Sequence, residues 1–295
     1  MEFRQAMIKN IKKKTMLKLF KIGLSLSFII LNIATLTANE RKMIEQVPFY
    51  TVSIESRNIA YQLLINDIPV LNSYSDFSGT VSKYVINPWL LNGKNSFKVR
   101  ILPVANSTTD PKGPKICKVV ISGPKDKGMT ETILAEAEAI PSDVSKEGSF
   151  AVTLEYPSPK WAASEKISRD AVTQKKILDK FKEFHLLLEK KDLNGIMKFA
   201  NAKFKAYSQS IDDPNFISDK QNSFKEQLAA GSKLIGIDVQ EKNGLLFEYY
   251  YGDRLVTIKN DDDRSIIQYY DGDEGVTTQY PLLFYFDGKD FVLIL

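Results

Sequence analysis

Residues 168–188, SRDAVTQKKILDKFKEFHLLL, mark the place where this chain changes its period. Ile177, Phe181, Phe184 and Leu188 recur at i, i+4, i+7 and i+11, and Leu178 and Leu187 widen the stripe. That is the spacing of one helix face. Ser168-Arg169-Asp170 offers a cap at the start, and Lys190-Lys191 suits the C-terminal end, where positive charge meets the helix dipole. A helix here ends the strand pattern that fills the first half of the chain. The sequence therefore predicts an all-β sandwich followed by an α+β domain, with helices packed on a curved antiparallel sheet.

Downstream, a second helix is expected from Asp192, with Ile196, Phe199 and Phe204 on one side, and a third over Phe216–Leu228, ending at Gly231. The period then falls to two. Leu234–Val239, Leu245–Tyr251, Arg254–Lys259, Ile266–Tyr270, Gln279–Phe286 and Phe291–Leu295 read as strands of a meander, separated by Gly, Asn and Asp turns. Helices first and a meander second, from Ser168 to Leu295, is an element order that resembles the cone-shaped nuclear-transport-factor-2-like superfold, shared by bacterial polyketide-cyclase and steroid-isomerase relatives. The resemblance rests on element order alone. It implies a pocket in which a carboxylate base and a tyrosine work without metal or histidine, and Asp238, Glu248, Tyr249 and Tyr269 are the residues placed to fill those roles. Fold alone does not confer activity.

Upstream, short β-branched and aromatic runs (Phe49–Ile54, Tyr61–Ile65, Val81–Ile86, Ser96–Leu102, Ile116–Ile121, Phe150–Leu154) are separated by Asn66-Asp67, Asn72-Ser73, Asn92-Gly93, a Pro/Gly loop at 110–114 and Gly123-Pro124. This is the pattern of an antiparallel sandwich. Thr130–Ala139 fits either a strand or a helix. Residues 85–99, VINPWLLNGKNSFKV, resemble a segment of jelly-roll or immunoglobulin-like domains appended to carbohydrate-active and surface proteins, where Leu-x-Gly-x-Asn leads into an alternating strand. In some such domains the tryptophan, here Trp89, is an exposed ligand platform; in others it plugs the core. Tyr156-Pro157-Ser158-Pro159 closes this half as a semi-rigid linker. The expected organisation is a leader over 1–38, a sandwich over 39–157, a linker over 158–167 and the α+β domain over 168–295.

The leader carries the address. After Lys18 and Lys21 comes an apolar run from Ile22 to Leu36, interrupted by Ser25, Ser27, Asn32 and Thr35 and ending at Thr37-Ala38. Basic start, apolar middle and small-residue end describe a secretory signal. The run is short for a membrane span of about 20 apolar residues. Cleavage near Ala38 and a periplasmic protein are expected, the alternative being an uncleaved inner-membrane anchor. Met16 offers a conventional start. Residues 1–38 carry seven Lys or Arg against Glu2, a net of +6, so their removal turns the formal +4 into −2. The mature chain thus has no excess positive charge to bring it to nucleic acid.

Catalytic vocabulary is sparse. Cys117 is the only cysteine, which excludes an intramolecular disulfide and any cysteine-rich metal site. Its strand-like surroundings favour a buried thiol over a covalent dimer contact. His185, the only histidine, lies at the edge of the helical apolar stripe, and no Gly-x-Ser-x-Gly elbow exists to build a triad around it. Asp261–Asp263 and Asp271–Gly275 lack calcium-loop spacing and sit where hairpin turns belong. No phosphate loop, zinc motif, heptad or repeat is present, so no cofactor and no metal are expected. Asn106-Ser107-Thr108 fits the glycosylation pattern, without consequence behind a bacterial-type leader.

What remains are tyrosine-rich strand faces. Alternation puts Phe247, Tyr249 and Tyr251 on one face, and Leu246, Glu248 and Tyr250 on the other. Tyr249, Tyr251, Tyr269, Glu248 and Trp89 are the candidate ligand or partner residues. Three functions follow: a non-catalytic protein-binding partner in the periplasm, such as an immunity protein neutralising a toxin; a ligand binder or metal-free enzyme using the cone; or a carbohydrate-binding module resting on Trp89. The first requires the aromatic helix to fill the sheet's concave face. The second requires a pocket there bordered by Phe247, Tyr249 and Tyr251, with Glu248 inside.

Overall fold

Sheet D, Leu246–Tyr250 (β10), Leu255–Lys259 (β11), Phe284–Phe286 (β14) and Phe291–Leu293 (β15), is the element on which the rest of the molecule is hung. Its faces differ by simple alternation. Val256, Ile258, Phe284 and Leu293 belong to one apolar cluster, and Leu255, Leu283, Tyr285 and Ile294 to another. The computed structural model describes residues 49–73, 79–102, 114–124, 131–229, 233–237, 244–260, 264–271 and 276–294. The leader, Asn106, Asp238 and Asp261–Asp263 lie outside the described residues, as do the acidic side chains of 271–274.

The first half is a sandwich of two four-stranded antiparallel sheets, as expected. Sheet A runs β4-β1-β6-β7, from Gly79–Val85 (β4), Thr51–Arg57 (β1), Ile116–Pro124 (β6) and Glu131–Ala139 (β7). Sheet B runs β3-β2-β5-β8, from Ile68–Ser73 (β3), Ala60–Ile65 (β2), Gly93–Leu102 (β5) and Ser145–Val152 (β8). The ambiguous stretch Thr130–Ala139 supplies edge strand β7; its Glu and Ala content suits a strand paired on one side and solvated on the other. Strand β3 was not anticipated. Pro69 hides it, because Pro is excluded from central strands, yet an edge position tolerates the missing N–H. The two-residue turn between β2 and β3 is Asn66-Asp67, both at positive φ (51° and 61°), as a type I′ hairpin needs.

The Leu-x-Gly-x-Asn segment owes its residues to a buried carboxamide network. Asn95 Oδ1 accepts from Leu91 N–H at 2.8 Å, and its Nδ2 donates to the Leu91 and Gly93 carbonyls. Asn66 Nδ2 donates to Asn95 Oδ1 at 2.7 Å and to the Trp89 carbonyl at 2.9 Å. Gly93 has φ +89°, a conformation that favours glycine. These groups satisfy one another, which is what makes their burial tolerable.

In the second half the long helix forms as expected, Ala171–Glu189 (α1), with Asp170 as N-cap accepting from Thr173 N–H at 2.8 Å. The expected second helix divides at Ala200 into Leu193–Phe199 (α2) and Asn201–Ile211 (α3); Phe216–Ala229 (α4) follows. The single meander is corrected. Pro281 has no N–H to give a ladder, so the expected strand Gln279–Phe286 becomes Val276–Gln279 (β13) and β14. Strand β11 pairs directly with β14. The hairpin of Gln268–Asp271 (β12) and β13 joins Lys233–Leu234 (β9) in a separate three-stranded sheet.

The two halves share a core. Residues from Pro48 to Leu295 form one compact unit, and the sandwich cluster extends without a break into Tyr250, Leu255, Leu283 and Tyr285. Strand β2 is buried at every position, and its Leu63, Leu64 and Ile65 belong to the same apolar cluster as Leu255 and Leu283 of the second half. Between the halves, Lys160–Ala163 forms a 3-10 turn, and Trp161 is buried, packing edge-on against Tyr251 at 5.1 Å. Asn87, wholly buried, accepts from Tyr50 N–H at 2.8 Å and donates to the Ser210 carbonyl of α3 at 3.0 Å.

Candidate functional site

The concave face of sheet D is filled. Phe181 meets Phe284 edge-on at 5.5 Å, Phe199 meets Phe284 at 6.1 Å, and Phe184, Leu188, Val256 and Ile258 complete the cluster. A helix stripe of this width leaves its volume to side chains, in keeping with the close packing of protein interiors. His185 is part of the same construction: its Nε2 lies 2.9 Å from the Ile235 carbonyl, so this nitrogen donates and ties α1 to the segment after β9.

The candidate residues do not converge. Tyr249 is on the helix face, under the Arg169 guanidinium at 4.6 Å, which in turn pairs with Asp253 at 2.7 Å. The Tyr249 hydroxyl is buried without a hydrogen-bond partner. Tyr269 also packs on the helix side, edge-on to Tyr280 at 5.7 Å, and burial raises its pKa. Glu248 is on the opposite face. Tyr251 leaves the alternation altogether: at φ +49° it belongs to the β10–β11 turn and packs with Trp161. Trp89 is 1% exposed, edge-on to Tyr207 at 5.7 Å, with its indole N–H unpartnered. It plugs the core and presents no platform to solvent. The expected grouping of Glu248 with Tyr249 and Tyr269 is therefore corrected: a strand's alternation puts neighbours on opposite sides, and the sheet separates them.

The other face of sheet D carries the polar chemistry. Lys259 is 7% exposed, and its Nζ lies 2.8 Å from Glu248 Oε2; the Tyr250 hydroxyl donates to the same carboxylate oxygen. Thr257, on the same face, donates to the Leu282 carbonyl at 2.7 Å. Beside Lys259, between sheet D and strand β3, lies a cavity of about 330 Å³. Its apolar wall includes Val70, Leu71 and Leu283, and its polar wall Thr257, Lys259 and Gln279. Sequence reasoning missed Lys259 because a strand-terminal lysine reads as solvated. Its register was the available signal: it shares the Leu255–Thr257 face, diagonal to Glu248 across the β10–β11 ladder.

A second concavity, about 400 Å³, lies outside α1, where Lys180 bridges Glu183 at 3.2 Å and Asp290 at 2.6 Å. Its charges compensate one another at the surface, where such pairs contribute little. Among the described residues no cluster of three or more His, Cys, Asp or Glu is arranged to hold a metal ion, and no helix is long and apolar enough to cross a membrane. Cys117 is fully buried and its thiol is pushed up to about 12 by desolvation. No family model matches this chain, and no curated protein or solved structure matches it.

Proposed function

We propose that this chain is an exported, non-catalytic binding protein whose partner is another protein met in the periplasm. The observation that carries the reading is the filled concave face of sheet D, where Phe181, Phe184 and Phe284 occupy the volume a cone enzyme keeps for substrate. Recognition is then left to the outside of the molecule. The sandwich edge supports this: Ile133 on edge strand β7 is 60% exposed, and Val144 in the β7–β8 turn is 86% exposed. Exposed apolar groups beside an unpaired strand edge suit protein association. The most specific form of the proposal is an immunity-type protein that neutralises a toxin delivered to that compartment. Affinity capture from periplasmic extract, with wild type beside Ile133→Asp and Val144→Asp, tests it. A partner retained by wild type and lost from the variants supports the reading; the same proteins captured by all three, or none by any, refutes it. Export is tested separately by N-terminal sequencing of the periplasmic protein, expected to begin just after Ala38.

A further inference from the structure

Strand β7 lies at the margin of sheet A, paired with β6 on one side and with no strand on the other. We propose that the partner protein docks here by adding an extended segment, alternately basic and apolar, as a fifth strand beside β7. This rests on the reading of that edge as a protein-binding surface and names the chemistry of what binds there.

The backbone supplies the template. Ala135–Ala139 pairs with Cys117–Ile121 in regular antiparallel register, beyond the irregularity between Ile121 and Ser122. Alternate residues of such an edge strand aim N–H and C=O away from their neighbour. Among the described residues, no other backbone group bonds to β7 on that side. Other edges of the sandwich are less suited. Strand β3 is buried over Ile68–Val70, and β4 is interrupted by Lys83 at φ +53°. Strand β8 is regular, but it carries no large exposed apolar side chain, and its Glu147 is committed to Lys98 at 2.6 Å.

Alternation then sets the partner's chemistry. One face of β7 turns Ala135, Ala137 and Ala139 toward the sandwich core. Alanines are small, so valine-sized groups on an added strand bury apolar surface over this margin. The other face carries Glu136 and Glu138, both exposed, and Ile133 past the irregularity. Glu131 is committed to Lys83 at 2.9 Å. Glu136 and Glu138 make no ion pair among the described residues, although Lys118 stands opposite Glu138 in the ladder. A second copy of this chain fits the edge poorly. Antiparallel self-pairing centred on Ala137 sets Glu136 against Glu138 of the copy, and like charges directly opposite destabilise. The charges that keep copies of this edge apart favour a strand bearing Lys or Arg, added through main-chain bonds.

The probe is an alternating Lys/Val heptapeptide. Its controls are the Glu/Val heptapeptide and a Lys/Val peptide N-methylated at alternate residues, which loses ladder donors and keeps its charge. NMR titration of the isotope-labelled protein should show saturable shifts of the β7 amides with the Lys/Val peptide. Either control should bind at least about fivefold more weakly. Glu136→Lys combined with Glu138→Lys, both at exposed positions, should weaken the Lys/Val peptide by at least about fivefold and strengthen the Glu/Val peptide. Circular dichroism checks the fold, and if the variant does not fold, the N-methylated peptide on wild type decides. No β7 shifts, shifts at another strand edge only, equal binding of the N-methylated peptide, or a folded variant that binds like wild type overturns the proposal. A partner captured by wild type and lost with Ile133→Asp, beside a failed peptide titration, refutes strand addition and spares the protein-binding surface. Peptide binding with no partner in periplasmic extract supports strand addition and refutes the periplasmic partner alone.

Discussion

Asn87→Ala is the substitution that most directly tests whether the two halves are one structure. Asn87 is wholly buried and uses both ends of its carboxamide between segments far apart in sequence, Tyr50 N–H on one side and the Ser210 carbonyl on the other. Alanine leaves that donor and that acceptor buried without partners. Each such orphan costs about 1–3 kcal/mol, so the loss should be roughly 2–6 kcal/mol. Against the 5–15 kcal/mol typical of whole domains, that is a large fraction. The assay is denaturant unfolding, read by Trp fluorescence and helix ellipticity together. Trp89 contacts Tyr207 and Trp161 contacts Tyr251, so fluorescence reports on the contact between the halves while ellipticity reports on α1–α4. Wild type should show one coincident transition, and the variant one transition at lower denaturant. A change under about 1 kcal/mol, smaller than a single orphaned group, or two separate transitions in wild type, would refute the reasoning.

Phe181→Ala, in the fully buried ring pair with Phe284, should destabilise by about 3–5 kcal/mol; unfolding measurements that find less than about 1 kcal/mol would mean the helix does not fill the sheet. Cys117 should resist thiol reagents in the folded protein and react at once in denaturant, because burial raises its pKa to about 12 and suppresses the thiolate. Asp170 is lowered from its ordinary 3.8 to about 2, first by the Ser168 hydroxyl and then by Thr173 N–H. A depressed folded-state pKa means the cap's contribution is present above about 3.8 and is lost as pH falls toward 2. NMR titration should show that midpoint, and Asp170→Asn should flatten the acid-side dependence of α1 stability. Gly148→Ala should destabilise, since its Cβ would stand 2.4 Å from the Phe97 ring; a thermal scan showing an unchanged melting temperature would contradict the packing of β5 on β8.

How much of this was legible follows residue by residue. The α1 stripe and its Asp170 cap, the Asn66-Asp67 turn and the alternating strands of the sandwich are local signals, carried by side-chain periodicity and backbone preference within a few residues. Strand β3 and the break at Pro281 were obscured because proline's effect depends on whether a strand lies at an edge, which is a fact about neighbours. The faces of β10 were legible from alternation up to Tyr250 and failed at Tyr251, where the turn takes φ positive.

The candidate site was the least legible part, for a related reason. Glu248 could be singled out from its aromatic neighbours, but its partner Lys259 is joined to it only by the β10–β11 register, and the cavity beside them only by the docking of sheet D onto β3. The sequence by itself determined the order of elements, the turn chemistry and the apolar faces, because these depend on spacing along one chain. The tertiary structure alone decided which face meets which: that α1 fills the concave side, that Trp89 is a core plug, and that a lysine at a strand end becomes a buried ammonium. Those outcomes depend on distances between segments as far as 184 residues apart, as Asp67 and Tyr251 are, and local periodicity carries no information about them.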